Sequence, residues 1–176
     1  RWQGDADITI NTAEAVSLAR DKHRTRQLLT GICPTTWDRR GAIELPCVIR
    51  PRRHFAGHRF FVCRQRNDID GAIRRCGPGW YASQLIDKAN EYRVFVFQGR
   101  VIRISEKLPP TDGTTVAWNL AVGGGSKTLK RKEWPIPAAL TAIEAAKRGG
   151  LDWSAVDVAI GRDGRPYVME NNTAPG

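Results

Sequence analysis

The side chains best suited to chemistry lie in the last twenty residues. Asp157 sits in an apolar run, Asp157-Val158-Ala159-Ile160. A polar turn with two glycines follows at residues 161–166, and a second run, Tyr167-Val168-Met169, leads into Glu170-Asn171-Asn172. Two apolar runs joined by such a turn predict a β-hairpin. Alternation along the second strand puts Glu170 on the face opposite Met169 and on the same face as Asn172. Asp157, Glu170 and Asn172 would then meet at one end of the hairpin as hard oxygen ligands, a set that suits Mg2+ or Mn2+ and the phosphates such ions hold. An ordinary surface hairpin with a polar end has the same local pattern, so the elements around it must decide.

Those elements read as α+β, with no internal repeat and no low-complexity segment. Asn11-Thr12-Ala13-Glu14 is an N-cap region ahead of a helical pattern at Ala15, Leu18, Ala19 and Lys22; a second helical stretch spans residues 25–29 and stops at Gly31. Residues 46–50 and 59–63 are β-rich runs around a basic loop that contains His54, Gly57 and His58. Gly77-Pro78-Gly79 breaks the chain, and residues 80–86 form a short strand leading into a polar connector at residues 87–90. Strands at 92–97 and 100–104 are joined by the tight turn Gln98-Gly99. A loop-rich stretch at 109–126 carries Gly123-Gly124-Gly125, and a helix opening at Pro137 runs to Gly149-Gly150.

The 176 residues, 41% of them hydrophobic, suffice for a real core in one domain or two small lobes. No run of about eighteen apolar residues occurs, and the first residues read as neither signal peptide nor anchor, so a soluble protein is expected. The chain opens without Met and ends on Pro175-Gly176 directly after its best motif, which predicts that it is part of something longer. Cys33, Cys47, Cys63 and Cys76 have neither zinc-ligand nor redox-pair spacing; Cys47 and Cys63 lie inside apolar runs and read as buried free thiols, suited to a reducing cytoplasm. The net charge of +10 points to an anionic partner, whether nucleotide, nucleic acid or acidic peptide, and charge alone does not choose among them.

In chain order these pieces resemble the ATP-grasp superfamily, most nearly its ribosomal-protein glutamate ligases and D-alanine ligases, with phage-encoded carboxylate–amine ligases as possible relatives. The match covers most of the chain. Asp21-Lys22 meets the family's helix with Asp-Lys, and Val48-Ile49-Arg50-Pro51 followed by Gly57 meets its strand ending in Lys-Pro before a glycine-containing loop. Gln84-Leu85-Ile86 resembles the hinge, and Glu91-Tyr92-Arg93 the acid-x-Arg strand start. Asn119 with Gly123-Gly124, Asp157, and the ending from Glu170 to Gly176 complete the series. The resemblance implies two α/β lobes with antiparallel sheets clasping a nucleotide: an entry segment at 1–45, a small lid lobe at 46–86 and a C-terminal lobe at 87–176, with the preceding N-terminal domain largely missing.

It also implies roles. ATP would be used to activate a carboxylate as an acyl phosphate, which an amine then captures as an amide. Asp157, Glu170 and Asn172 would hold Mg2+ or Mn2+. Lys22, Arg50 and Gly57 would face the nucleotide phosphates, backbone groups of Gln84, Leu85 and Ile86 the adenine, and Asp87 or Glu91 the ribose. Arg93, Lys107 and Asn119 would serve the transferring phosphoryl group or the reacting carboxylate, although Lys107 equally suits a surface salt bridge. The chain departs from the family at Arg50, where Lys is usual and the phosphate geometry must differ. Its lid loop is also poor in glycine, so side-chain cations would replace backbone amides as phosphate donors. The acceptor would be acidic, an acidic peptide or protein being one such candidate. A nucleic-acid-binding or nucleic-acid-joining protein on the same fold, and a non-catalytic nucleotide-binding domain, remain the competing readings.

Overall fold

A computed structural model describes residues 10–52, 59–110, 116, 118 and 123–173. The expectations for His54, Gly57, His58, Asn119 and the Ala174-Pro175-Gly176 ending lie outside these residues. Two antiparallel sheets make up the α+β architecture anticipated above. The first holds β1 (Thr36–Trp37), β2 (Cys47–Pro51), β3 (Phe61–Cys63) and β4 (Trp80–Gln84) in the order β1-β4-β2-β3. The second holds β5 (Lys88–Phe97), β6 (Arg100–Leu108), β7 (Gly125–Thr128), β8 (Trp153–Gly161) and β9 (Pro166–Asn172) in the order β7-β6-β5-β8-β9.

Each sheet has one apolar face covered by a helix. Cys47, Ile49, Cys63 and Ala82 of the first sheet pack on Ile69, Ala72 and Cys76 of α3 (Arg66–Cys76). The spacing of 69, 72 and 76 places those three side chains on one stripe of the helix. Val94, Val96, Ile104, Val156, Val158 and Val168 of the second sheet pack on the alanine-rich side of α4 (Ile136–Arg148). Small side chains at 138, 142, 145 and 146 let that helix lie close to the strands. Alternation then turns Arg50 and Tyr81 in the first sheet and Glu91, Arg93 and Asp157 in the second away from both helices. Glu170 joins them because β9 bulges at Met169: Asp157 pairs with Glu170 but Val158 with Val168, so Glu170 faces away from the helix that Val168 packs on.

Two short helices precede the sheets. Thr12 caps α1 (Ala13–Arg20), accepting from the Ala15 N–H at 3.2 Å, and Asp21 caps α2 (Lys22–Leu28), accepting from the Arg24 N–H at 3.1 Å. Helix α2 ties into both sheets: the Lys22 N–H donates to Arg52 O at 3.1 Å, and Arg26 Nη2 donates to Met169 O at 2.7 Å.

Three local expectations need correction, and one helix has no counterpart among them. Helix α2 starts at Lys22, not at residue 25, because the Asp21 cap opens it a turn earlier. Helix α3 was not foreseen: its apolar stripe is only three residues wide among Arg, Asn and Asp, and tertiary burial rather than composition makes it. The polar connector at 87–90 is mostly strand, since β5 begins at Lys88 and pairs with Gly161 there. Within the loop-rich stretch, Gly125 and Ser126 open β7, against Leu108 and Lys107 of β6. The Gln98-Gly99 turn is as expected, with φ of 46° and 71°, the positive pair that a two-residue hairpin turn of this hand requires.

Candidate active site

Cross-strand register builds the site. Asp157 on β8 stands opposite Arg93 of β5 on one side and Glu170 of β9 on the other, giving a row Arg93, Asp157, Glu170 across three strands. One step along the same face, Glu91 of β5 stands opposite Lys107 of β6. Residues that are 64 and 13 positions apart in sequence from Asp157 become neighbours because paired strands place opposite side chains on one face.

The row is densely ion-paired. Asp157 Oδ1 accepts from Arg93 Nε at 2.8 Å, while Oδ2 accepts from Arg93 Nη2 at 3.1 Å and from Lys107 Nζ at 2.6 Å. Lys107 also donates to Glu91 Oε1 at 2.7 Å, and Lys88 Nζ donates to Glu91 Oε2 at 2.5 Å. Asp157 is 3% exposed. Burial pushes its pKa upward, but the Lys107 charge and the Arg93 fork outweigh that and hold the carboxyl below its ordinary 3.8. The hydrogen bond to Asp157 raises the Arg93 pKa, and for Lys107 burial is outweighed by the Asp157 and Glu91 charges, so it too is raised. Burial lowers the Lys88 pKa despite Glu91. Asp157 is therefore an anion at neutral pH, clamped by two cations. Lys107, expected to face a phosphoryl group or to make a salt bridge, is half-buried and links two acids, Asp157 and Glu91, in the empty protein.

Glu170 is paired across the cleft with Lys22 of α2. Asn172 shares its face, opposite Ala155 of β8, and its Nδ2 is buried without a partner. Asn171 points the other way and donates from Nδ2 to Ala145 O of α4 at 3.3 Å. The donor types Asp, Glu and Asn on adjacent strands fit a hard divalent cation. Among the described residues no group of three or more His, Cys, Asp and Glu converges to hold a metal ion, so the carboxamide of Asn172 would have to complete the set.

The opposite wall comes from the first sheet. Arg50 and Tyr81 are paired directly across β2 and β4, with the guanidinium carbon 5.4 Å from the ring centroid. Lys22, Arg26, Arg50, Tyr81 and Glu170 line one cleft between this wall, α2 and β9. At the expected hinge, the Gln84 and Leu85 N–H groups already donate to Thr35 O at 2.8 Å and Pro46 O at 3.1 Å. Of the two acids considered for ribose, Asp87 is exposed and pairs with Arg162 at 3.3 Å, whereas both oxygens of buried Glu91 are taken by lysines. Gly123 has φ 83°, a conformation that favours glycine, next to Gly124 and the start of β7.

Arg26, Tyr81 and Lys88 were not singled out from the sequence. Lys22 and Arg26 are four residues apart, one turn of the same helix, and that signal was present; placing the helix start at residue 25 hid it. Tyr81 follows from reading β4 in alternation opposite β2.

No protein-family profile matches the chain. It is 28% identical over 188 aligned residues to "Probable alpha-L-glutamate ligase" of Aeromonas salmonicida, covering 96% of this chain and 61% of that protein. The chain thus spans about three-fifths of that relative's length. Among solved structures it resembles the D-alanine–D-alanine ligase of Bacillus anthracis, with a TM-score of 0.72, 16% identity, 94% of this chain and 60% of that one. It also resembles the ATP-grasp ligase PsnB bound to a phosphomimetic precursor variant, Mg and ADP, with a TM-score of 0.68, 20% identity, 94% of this chain and 54% of that one. The two-sheet architecture is accordingly the ATP-grasp fold.

Proposed function

We propose that this chain is the nucleotide-binding part of an ATP-dependent carboxylate–amine ligase, a C–N bond-forming enzyme acting through an acyl phosphate. The observation that carries the reading is the facing of two charged walls. Arg93, Asp157 and Glu170 are registered across three strands of one sheet, and Arg50 of the other sheet faces Lys22 and Glu170 across a single cleft. Relatives named as ligases, and an ATP-grasp neighbour holding Mg and ADP, support it.

In this reading a carboxylate oxygen of the acceptor attacks the γ-phosphorus of ATP, the bond to the β-phosphate oxygen breaks, and ADP leaves. The amine then attacks the acyl carbon, phosphate departs and the nitrogen loses a proton. Triphosphate and carboxylate crowd negative charge into one cleft, and catalysis rests on fixed cations that hold these groups in line. Arg50 and Lys22 take the nucleotide phosphates. Arg93, a third exposed beside Asp157, faces the transferring group. Asp157, Glu170 and Asn172 hold Mg2+ or Mn2+, which when bound neutralises phosphate charge. Lys107 keeps Asp157 ionised and in place. Lys22 leaves Glu170 when the ion and the phosphates arrive, so the Lys22–Glu170 pair is the contact exchanged on loading. Gly57 and Asn119 keep their expected roles on the phosphates and the reacting carboxylate. Adenine is read by Ile86 and the hinge carbonyls, since the Gln84 and Leu85 N–H groups are committed.

The acceptor is acidic, in keeping with the charge of +10. Among the described residues no helix is long and apolar enough to cross a membrane. Four free thiols suit the cytoplasm. The test is ADP release by the full-length protein, with ATP and Mg2+, against a panel of amino acids and acidic peptides. Release that requires both a carboxylate and an amine supports the ligase. No release on any acceptor, with steeply salt-dependent binding to a random polynucleotide, overturns it in favour of a nucleic-acid protein.

A further inference from the structure

Helix α2 carries a guanidinium that the roles above do not use. Arg26 is 4% exposed. Its Nη2 donates to Met169 O at 2.7 Å, its Nη1 is buried with no partner, and no carboxylate pairs with it among the described residues. Arg50, on the facing wall of the same cleft, pairs with no acid among the described residues, and its Nε is buried without a hydrogen-bond partner there. Tyr81, 0% exposed and directly opposite Arg50 across β2 and β4, has a buried hydroxyl without a partner. Among the described residues the acid lining the cleft is Glu170, and Lys22 already neutralises it. Among the described residues, then, two guanidiniums share one cleft with no free counter-charge.

Such an arrangement costs free energy in the empty protein. A buried charge without a partner is among the most destabilising features a fold can carry, and an unsatisfied buried donor adds its own desolvation penalty. Burial and then the Arg50 charge lower the Arg26 pKa, as expected for cations crowded together in a dry site. Both side chains are held in place: Met169 O anchors one Nη of Arg26, and Arg50 is stacked between the Tyr81 and Phe60 rings at 5.4 and 5.8 Å. Two fixed guanidiniums and a hydroxyl donor are what a tetrahedral oxyanion requires, since planar forks meet its oxygens in pairs.

We propose that Arg26, with Arg50 and Tyr81, forms a buried site for a phosphoryl group, making Arg26 and Tyr81 ligand-binding residues. This rests on the ATP reading in so far as the phosphoryl group belongs to the nucleotide; the same donors would accept free inorganic phosphate.

The experiment compares full-length wild-type protein with Arg26→Met and Tyr81→Phe. ATP, ADP and inorganic phosphate are the ligands, and affinity is measured by titration calorimetry and by thermal shift. Arg26→Met keeps the side-chain length without the charge. It should weaken ATP binding roughly 10- to 100-fold, the loss of one charge-assisted contact. Tyr81→Phe, which removes one unsatisfied hydroxyl and leaves packing intact, should weaken binding about threefold to tenfold while the melting temperature of the empty protein stays the same or rises, since the desolvation penalty of the hydroxyl goes with it. If wild-type protein binds ATP and both variants bind it within twofold of wild type, Arg26 is a strut to Met169 O and the inference falls while the ligase reading stands. If ATP fails to bind but millimolar phosphate stabilises wild type and not Arg26→Met, the site stands and the ATP reading falls. Should Arg26→Met not fold, Tyr81→Phe decides by the same twofold criterion.

Discussion

Replacing Asp157 by Asn separates the structural from the chemical role of the site. The side chain is buried and accepts three charge-assisted bonds, two from Arg93 and one from Lys107. Asn keeps the shape and removes the charge, leaving Lys107 with Glu91 alone and Arg93 with no acid at its fork. Breaking one side of a buried ion pair costs about 3–5 kcal/mol. Arg93 is a third exposed and recovers some hydration, so the lower end, about 3 kcal/mol, applies. For a chain of this size that corresponds to a fall in melting temperature of roughly 6–12 °C at pH 7. The pH dependence follows from the sign of the shift. The folded Asp157 pKa lies below 3.8, so its contribution is full above the unfolded value and fades as pH falls through the folded one. The wild-type and Asp157→Asn curves, recorded by circular dichroism from pH 7 to pH 2, should therefore converge in strong acid. A gap under about 1 kcal/mol at pH 7, or one that stays constant into acid, would refute the view that this carboxylate is an ionised keystone of the sheet.

Glu170→Gln should behave oppositely: Glu170 is over a third exposed, so stability should change by less than about 1 kcal/mol, while Mg2+-dependent ADP release is abolished; unchanged turnover removes Glu170 from the metal site. Burial raises all four thiols, that of Cys47 up to about 12 with Cys63 contributing, but Cys33 alone is only half-buried, so a disulfide reagent at pH 8 should titrate at most Cys33 in the native protein and all four thiols in denaturant. Fast labelling of two or more native thiols would contradict the packing of α3 on the first sheet. Gln98→Asn, at φ 46° in the β5–β6 turn, should stabilise the protein by roughly 0.5–1 kcal/mol in urea unfolding, because Asn tolerates the left-handed region better; a loss of stability would mean the Gln98 side chain matters in its own right.

How much of this was legible in the sequence depends on the range of the interaction concerned. Strand alternation is local, and from it the apolar runs, the closing hairpin, the Gln98-Gly99 turn and the shared face of Glu170 and Asn172 could all be read. Cys47 and Cys63 were recognisable as core because their neighbours are apolar. Helix α3 was not, since its charges outnumber its buried positions and only the sheet beneath reveals which side matters. The partners of Asp157 depend on sheet order and register, which bring residues 50 and 64 positions away within hydrogen-bonding distance. No local pattern carries that information. Arg26 is the extreme case: in a seven-residue polar helix it has the look of a solvated cation, and only the packing of α2 between two sheets strips its water and leaves it facing Arg50. Residue types determined what chemistry is available here, because charge and hydrogen-bonding capacity belong to each side chain alone. Tertiary structure decided which charges are neutralised and which remain unspent, because desolvation and pairing belong to the neighbours.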